Sequence, residues 1–582
     1  MSDPAQTPRR DVLGSRHLLD CIFRGMQLGE LAPLLRVSRF FFDVGAPLVW
    51  RELPGLEVLV KLFLEGRQDG EAPSRRRPAK ISVSMVDPTV PGLAEKFARF
   101  NVYKGFVRKL CVYGGHLETF FVGDEERFRP QFVYQFEGFP TTEKPPLELP
   151  NLREVVVDRH QCPMTWEELR NVLCWFVGSS CISVGLSGSF KAGRDDGESG
   201  HGGGDVTGLA EALETAFGHR SSLRALQLWL QPNPESWGEG SALAEGICTM
   251  PFLTTLLISP FMLGEPLFLA IAALPALQTL RLGSPGLAPR WRADPSQYCK
   301  PPAGSFRSLT HLEIVGTNWY REVTTGITRI PGLLTNLETL RYYHTSESAG
   351  GDDDAVEAED EDEDEGEDED EDEDEDGDED EDEDEDGTEA EDEGLASTLD
   401  RLMREAPKLK VLALGCSESE VDPTELWPLA TGSLEHVELW GFSLCGGVGD
   451  LLDSCPQWRD SLVCLRIPRH NIPLAELRLL AQCDALQHLR IGLNFSDNVP
   501  FAVDLLRPAK PRGLLLESSF ALGGLSDESI RTCAKFLLSC WWDIELSYAE
   551  HESKTIVQHE AAMSTLRKLV TALAAVRRVH GP

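Results

Sequence analysis

Nine segments of the chain obey one rule: an aliphatic residue, two free positions, a second aliphatic, one free position, and a third apolar residue. They are Leu223/Leu226/Leu228, Leu253/Leu256/Ile258, Leu277/Leu280/Leu282, Leu309/Leu312/Ile314, Leu337/Leu340/Tyr342, Leu409/Leu412/Leu414, Leu434/Val437/Leu439, Leu462/Leu465/Ile467 and Leu486/Leu489/Ile491. Weaker copies precede them at Val107/Leu110/Val112, Leu152/Val155/Val157 and Cys181/Val184/Leu186. Residues two apart on an extended strand share a face, so the closing pair of each triplet predicts a short strand with one side buried.

From Leu223 to Leu337 the triplets start 30, 24, 32 and 28 residues apart, which brackets the period of a leucine-rich repeat. The next step, to Leu409, is 72 residues, and it contains Asp352 to Glu393, 42 residues long; without that tract the step is 30. The tract is therefore read as an insertion within one repeat. Between triplets the pattern turns helical, as over Asp205 to Phe217, where Val206, Leu209, Leu213 and Phe217 share one face. The predicted fold is α/β: a curved solenoid over 101–550 with parallel strands on its concave side and helices on its convex side. A solenoid needs covered ends, and Ile556, Met563, Leu566, Val570 and Leu573 predict a capping helix over 551–582, after a last strand near Ile544 to Leu546.

Charge changes the picture in one place. The formal charge of −40 is concentrated in 352–393, which holds 34 acidic residues and no basic one; the remainder carries 61 acidic against 55 basic residues. Such charge density forbids a packed core, so 352–393 is expected to be a disordered acidic insertion. It is expected either to contact histones or other basic proteins or to be a tolerated low-complexity expansion. The first residues lack the pattern of a secretory signal, and the most apolar stretch, Phe252 to Leu280, is broken by Pro260, Glu265, Pro266 and Pro275. The expected location is cytoplasm or nucleus, with no membrane contact, and the 14 cysteines, none in a C-x-x-C pair, are expected to be reduced.

Residues 11–53 differ from the rest, with Leu18, Leu19, Ile22, Phe23, Leu31, Leu34, Leu35, Val37 and Trp50 spread over three short helical pieces. The stretches HLLDCIF, LGELAPLLRVSRFF and APLVWREL resemble an F-box, although Arg16 and His17 stand where the usual Leu-Pro would fall. After the F-box come a linker and helical connection (54–100), and the order F-box, then the phrase FARFNVYKGFVRKLCVYG (97–114), then irregular repeats is similar to the large F-box families of mushroom-forming fungi. That resemblance implies the substrate-recognition subunit of a cullin-RING (SCF-type) ubiquitin ligase, with these nine residues docking the cullin adaptor and the repeats holding a client protein. The alternative is a free-standing leucine-rich-repeat scaffold, or an acidic binder of histones or other basic proteins, whose N-terminal helices only cap the first repeat.

No phosphate-loop, nucleophile-elbow, zinc-protease or dinucleotide-binding pattern is present, and His160 with Cys162 supplies only half of a zinc site. The expectation is a protein with no catalytic residues, cofactor or metal, and no direct contact with nucleic acid. Client contacts are expected from the strand positions beside the inward pair: Trp229, Arg281, Glu313, Arg341, Tyr343, Glu438, Trp440, Arg466 and Arg490.

Overall fold

The computed structural model describes residues 15–53, 98–113, 149–158, 180–189, 222–231, 241–283, 301–344, 394–494, 513–518, 526–548 and 564–575, with a few gaps inside these ranges, the strand segments 79–84 and 132–137, and isolated positions between. The acidic tract, His160, Cys162, Val206, Phe217, Ile556 and Met563 lie outside the described residues. Contacts divide the chain into two units, the first built mainly from residues up to Tyr343 together with 405–414, the second mainly from 415 onward.

The first unit opens with three helices, α1 (Arg16–Arg24), α2 (Leu28–Leu34) and α3 (Arg39–Val49). Ser15 and Ser38 cap α1 and α3, their hydroxyls accepting from the Leu18 and Phe41 N–H groups. Leu19, Phe23, Leu31 and Val44 make the core of this bundle, with Phe41 edge-on to Phe23 at 5.5 Å. From α3 the chain passes directly into the sheet: Trp50 stacks on Tyr103 at 4.2 Å, and β1 (Glu52–Leu53) pairs with β3 (Lys109–Tyr113). The first strand of the sheet thus lies inside the helical module, ahead of the expected solenoid start at 101. The expected linker 54–100 contains β2 (Ala79–Ser84), which pairs in parallel with β4 (Phe132–Glu137) apart from the main sheet.

The ladder continues through β5 (Glu154–Asp158), β6 (Ser183–Ser189), β7 (Ala225–Gln231), β8 (Thr255–Ile258), β9 (Thr279–Leu282), β10 (His311–Gly316), β11 (Thr339–His344) and the start of β12 (Val411–Val421). Every pairing with a resolved register is parallel, and the triplets align rung on rung, as in Leu226↔Leu256, Leu256↔Leu280 and Leu280↔Leu312. All three apolar residues of all nine strong triplets are buried, none more than 6% exposed, so the repeat rule and the core coincide. Helices α4 (Ser241–Cys248) and α5 (Glu265–Ala273) form two of the returns between strands, burying Leu243, Ile247, Leu267 and Ile271. Leu209 and Leu213 are likewise helical and buried, as their spacing predicts. β11 meets β12 without slip, Thr339 opposite Val411, although the acidic tract separates them in sequence.

In the second unit β13 (His436–Leu444), β14 (Cys464–Pro473), β15 (His488–Asn494), β16 (Gly513–Ser518) and β17 (Asp543–Tyr548) pair in order. β13 and β14 run 9 and 10 residues, well beyond the predicted pair, and β14 bulges between Ile467 and Asn471. Gly441, in β13, has φ of +79°, and a Cβ there would overlap the carbonyl oxygen of Cys416. Helices α6 (Leu395–Glu405), α7 (Val448–Ser454) and α8 (Asp527–Cys540) bury Leu399, Leu402, Leu451, Leu452, Phe536 and Leu537. A last helix over 564–575 turns Leu566, Val570 and Ala574 inward, and Arg567 Nε donates to the Leu546 carbonyl at 2.9 Å, which fixes it against β17 as a cap.

Among the described residues eight thiols are buried, Cys111 and Cys181 in the first unit and Cys416, Cys455, Cys464, Cys483, Cys533 and Cys540 in the second. Burial pushes Cys455 up to about 12 and Cys464, Cys483, Cys533 and Cys540 up to about 11, so these thiols are protonated and unreactive while the fold is closed. Among the described residues no helix is long and apolar enough to cross a membrane.

Candidate functional site

The candidate site is the face of the strands opposite the leucine core. Strand alternation places the free position of each triplet there, and pairing in register turns these positions into rows. In the first unit one row runs Gln227, Leu257, Arg281, Glu313, and continues from Arg341 to Ala413. In the second it runs Glu438, Arg466, Arg490, Glu517 and Ser547.

Arg281 pairs with Glu313 on the next strand at 3.0 Å and lies over the Trp229 ring at 5.3 Å. Arg490 lies over the Trp440 ring at 4.7 Å and approaches Glu517 on the next strand at 3.9 Å. The arrangement is the same in both units: a tryptophan on one strand, an arginine two strands on and two positions earlier along the strand, and a glutamate on the strand after that. A half-buried cation over an indole contributes roughly 0.5–1 kcal/mol and a cross-strand ion pair a similar amount, so each trio is a rigid feature. Rigid tryptophan and arginine are the side chains that dominate protein interfaces.

Eight of the nine expected client-facing residues, Trp229, Arg281, Glu313, Arg341, Tyr343, Trp440, Arg466 and Arg490, are partly exposed on this face. Glu438 is the exception. It is 5% exposed, accepts from Trp440 Nε1 at 3.2 Å and pairs with Arg466 at 3.3 Å. Its carboxylate therefore holds the two neighbours in place and offers nothing to a partner. Glu517 was absent from the expected set because β16 lacks the triplet spacing, having Pro511 where the first aliphatic residue would stand.

The N-terminal module carries a second surface. Leu19, Phe23 and Leu31 are buried in the module's own core, and the half-buried Leu34 and Leu35 pack against it, so these five support the bundle. Trp50 is committed to Tyr103. Of the expected adaptor contacts Leu18, Ile22 and Val37 face solvent, joined by Leu28 and Phe40. These five are more than half of the nine large hydrophobic side chains exposed among the described residues, though the module is a small share of the chain.

Among the described residues no group of three or more His, Cys, Asp or Glu side chains is placed to hold a metal ion. No protein-family model matches the chain, and no curated protein matches it in sequence. Solved structures similar to it include a Bacteroides fragilis protein from a structural genomics programme (14% identity over 69% of this chain and 75% of that one, TM-score 0.26). The TLR13–ssRNA13 complex is similar at 13% identity over 81% of this chain and 68% of that one, TM-score 0.27. The mouse RP105/MD-1 complex is similar at 11% identity over 76% and 74%, TM-score 0.24. At these scores none of them bears on what this chain binds. The stacked triplets, parallel ladder and helical returns are themselves those of an α/β leucine-rich-repeat fold.

Proposed function

We propose that the chain is a non-catalytic substrate-recognition subunit of a cullin-RING ubiquitin ligase, docking the cullin adaptor through its N-terminal helices and a client protein through the outward face of its strands. The observation that carries this reading is the concentration of exposed apolar side chains, Leu18, Ile22, Leu28, Val37 and Phe40, on a helical module whose sequence resembles an F-box. Apolar surface gathered on a small module is a signature of a partner site. On this reading the direct passage from α3 into β1 would hold a bound client in a fixed relation to the adaptor.

The same passage favours a second reading, in which the helices serve as the cap of the first repeat and the protein is a free-standing scaffold or a binder of basic proteins. One experiment separates them. A variant with Leu18, Ile22 and Val37 all changed to Glu alters only exposed positions, so its circular dichroism should match wild type. Wild type should co-precipitate the cullin adaptor and the variant should not. Failure of wild type to recover the adaptor would leave the scaffold reading in place.

A further inference from the structure

One residue before each strand, the backbone carbonyl accepts from two consecutive N–H groups of the next strand, and this defines a further row along the strand-start edge of the first unit. The Arg51 carbonyl accepts from Arg108 and Lys109, Arg108 from Arg153 and Glu154, Arg153 from Ile182 and Ser183, Ile182 from Arg224 and Ala225, and Arg224 from Thr254 and Thr255, at 2.7–3.0 Å. Arg51, Arg108, Arg153, Ile182 and Arg224 therefore stand on five successive rungs, at the strand spacing of roughly 4.8 Å. All five are exposed.

Like charges stacked at that spacing repel, and none of the four arginines makes an ion pair with another described residue. The row is not a by-product of the repeat. In the second unit the equivalent carbonyls belong to Glu435, Val463 and Gln487, with no arginine among them. The row also carries apolar surface: Ile182 is 40% exposed, and Phe252, 44% exposed, lies under Arg224 at 5.0 Å with its carbonyl accepting from Arg224 Nη1 at 3.2 Å.

We propose that this row is a docking strip for a partner protein's acidic peptide segment that also bears an apolar residue, the carboxylates meeting Arg51, Arg108, Arg153 and Arg224 and the apolar side chain meeting Ile182 and Phe252. Guanidinium groups pair with carboxylates through two parallel N–H donors. A nucleic-acid backbone fits less well, because its charge recurs at every link while the strip is interrupted by an apolar rung and flanked by the carboxylates of Glu52 and Glu154. This proposal does not depend on adaptor docking.

The test is fluorescence anisotropy of the full chain with a labelled peptide alternating glutamate and leucine. Wild type should bind, with affinity falling as salt rises. Changing Arg108 and Arg153 together to Glu should weaken binding by on the order of tenfold or more. The Ile182→Ser variant should weaken it while leaving the salt dependence unchanged. Should the charge reversal disturb circular dichroism, Arg108→Gln with Arg153→Gln replaces it and should still weaken binding. Unchanged affinity in a folded double variant, no binding by wild type, or equal displacement of the peptide by a single-stranded oligonucleotide would overturn the proposal.

Discussion

Arg281 is held over the ring of Trp229 at 5.3 Å although the two residues lie on strands separated by a third, and Glu313 keeps it there from the other side. The trio of Trp440, Arg490 and Glu517 repeats this geometry in the second unit. Replacing Trp229 with alanine should leave the melting temperature nearly unchanged, whereas Trp440→Ala also removes the indole donor of the buried Glu438 carboxylate and should lower it modestly. Client binding should fall by about 2 kcal/mol or more for each hot-spot truncation, read by calorimetry or by co-precipitation. Unfolding of either variant would show that its indole is structural.

Glu438 makes a different prediction. A buried carboxylate that loses its cation is costly, so Arg466→Ala should destabilise the second unit by about 1–3 kcal/mol. Removing Glu438 as well should restore part of that loss, because no uncompensated charge then remains. Chemical denaturation of the two single variants and the double would measure the coupling, and additivity would refute it.

His470 gives the second unit a dependence on pH. Its Nδ1 accepts from the Leu444 N–H at 3.3 Å, and burial lowers its pKa below the ordinary 6.5. The folded protein therefore binds fewer protons than the unfolded chain once pH falls below about 6.5, and stability declines from there towards the lowered folded value, levelling below it. His436, also lowered by burial, acts with the same sign. The His470→Gln variant, which keeps an acceptor for Leu444, should show a shallower decline in denaturation midpoints across this range.

Gly441 should tolerate no side chain. Its positive φ and the closeness of the Cys416 carbonyl mean that Gly441→Ala must move backbone, at a cost of about 2–4 kcal/mol. Because Trp440 precedes it directly, partial unfolding should be accompanied by changed tryptophan fluorescence. A variant as stable as wild type would show that the strand accommodates a Cβ.

Deleting Asp352 to Glu393 should preserve helix and strand content by circular dichroism, since Thr339 already pairs with Val411 in register. A lost transition on heating would show that the tract contributes to the core.

The repeats were legible because their rule is a packing rule: Leu226, Leu256, Leu280 and Leu312 recur at fixed spacing for the reason that they stack. The three N-terminal helices and the capping helix were legible from apolar spacing in the same way. β1 escaped notice because two residues, Glu52 and Leu53, carry no periodicity. β16 escaped because Leu514 and Leu516 lack a leading aliphatic residue. Within the candidate site, strand alternation identified which residues face outward, but which of them are covered depends on neighbours brought in from other rungs. Glu438 is covered by Trp440 from its own strand, and by Arg466 only because the β13 and β14 positions align. The same holds at the N-terminus, where Leu18 and Leu19 are adjacent in sequence and opposite in exposure once α1 packs on α3.

The buried thiols have a consequence for how the protein can be observed. Cys111, Cys416 and Cys464 lie on separate strands, Cys533 and Cys540 on one helix, and each reacts with an alkylating reagent only when its own surroundings open. In a linear array, opening is governed by nearest neighbours and its free energy can differ from place to place. Labelling rates at the individual cysteines, resolved by mass spectrometry, would therefore chart local stability along the wild-type chain with its native residues as the reporters.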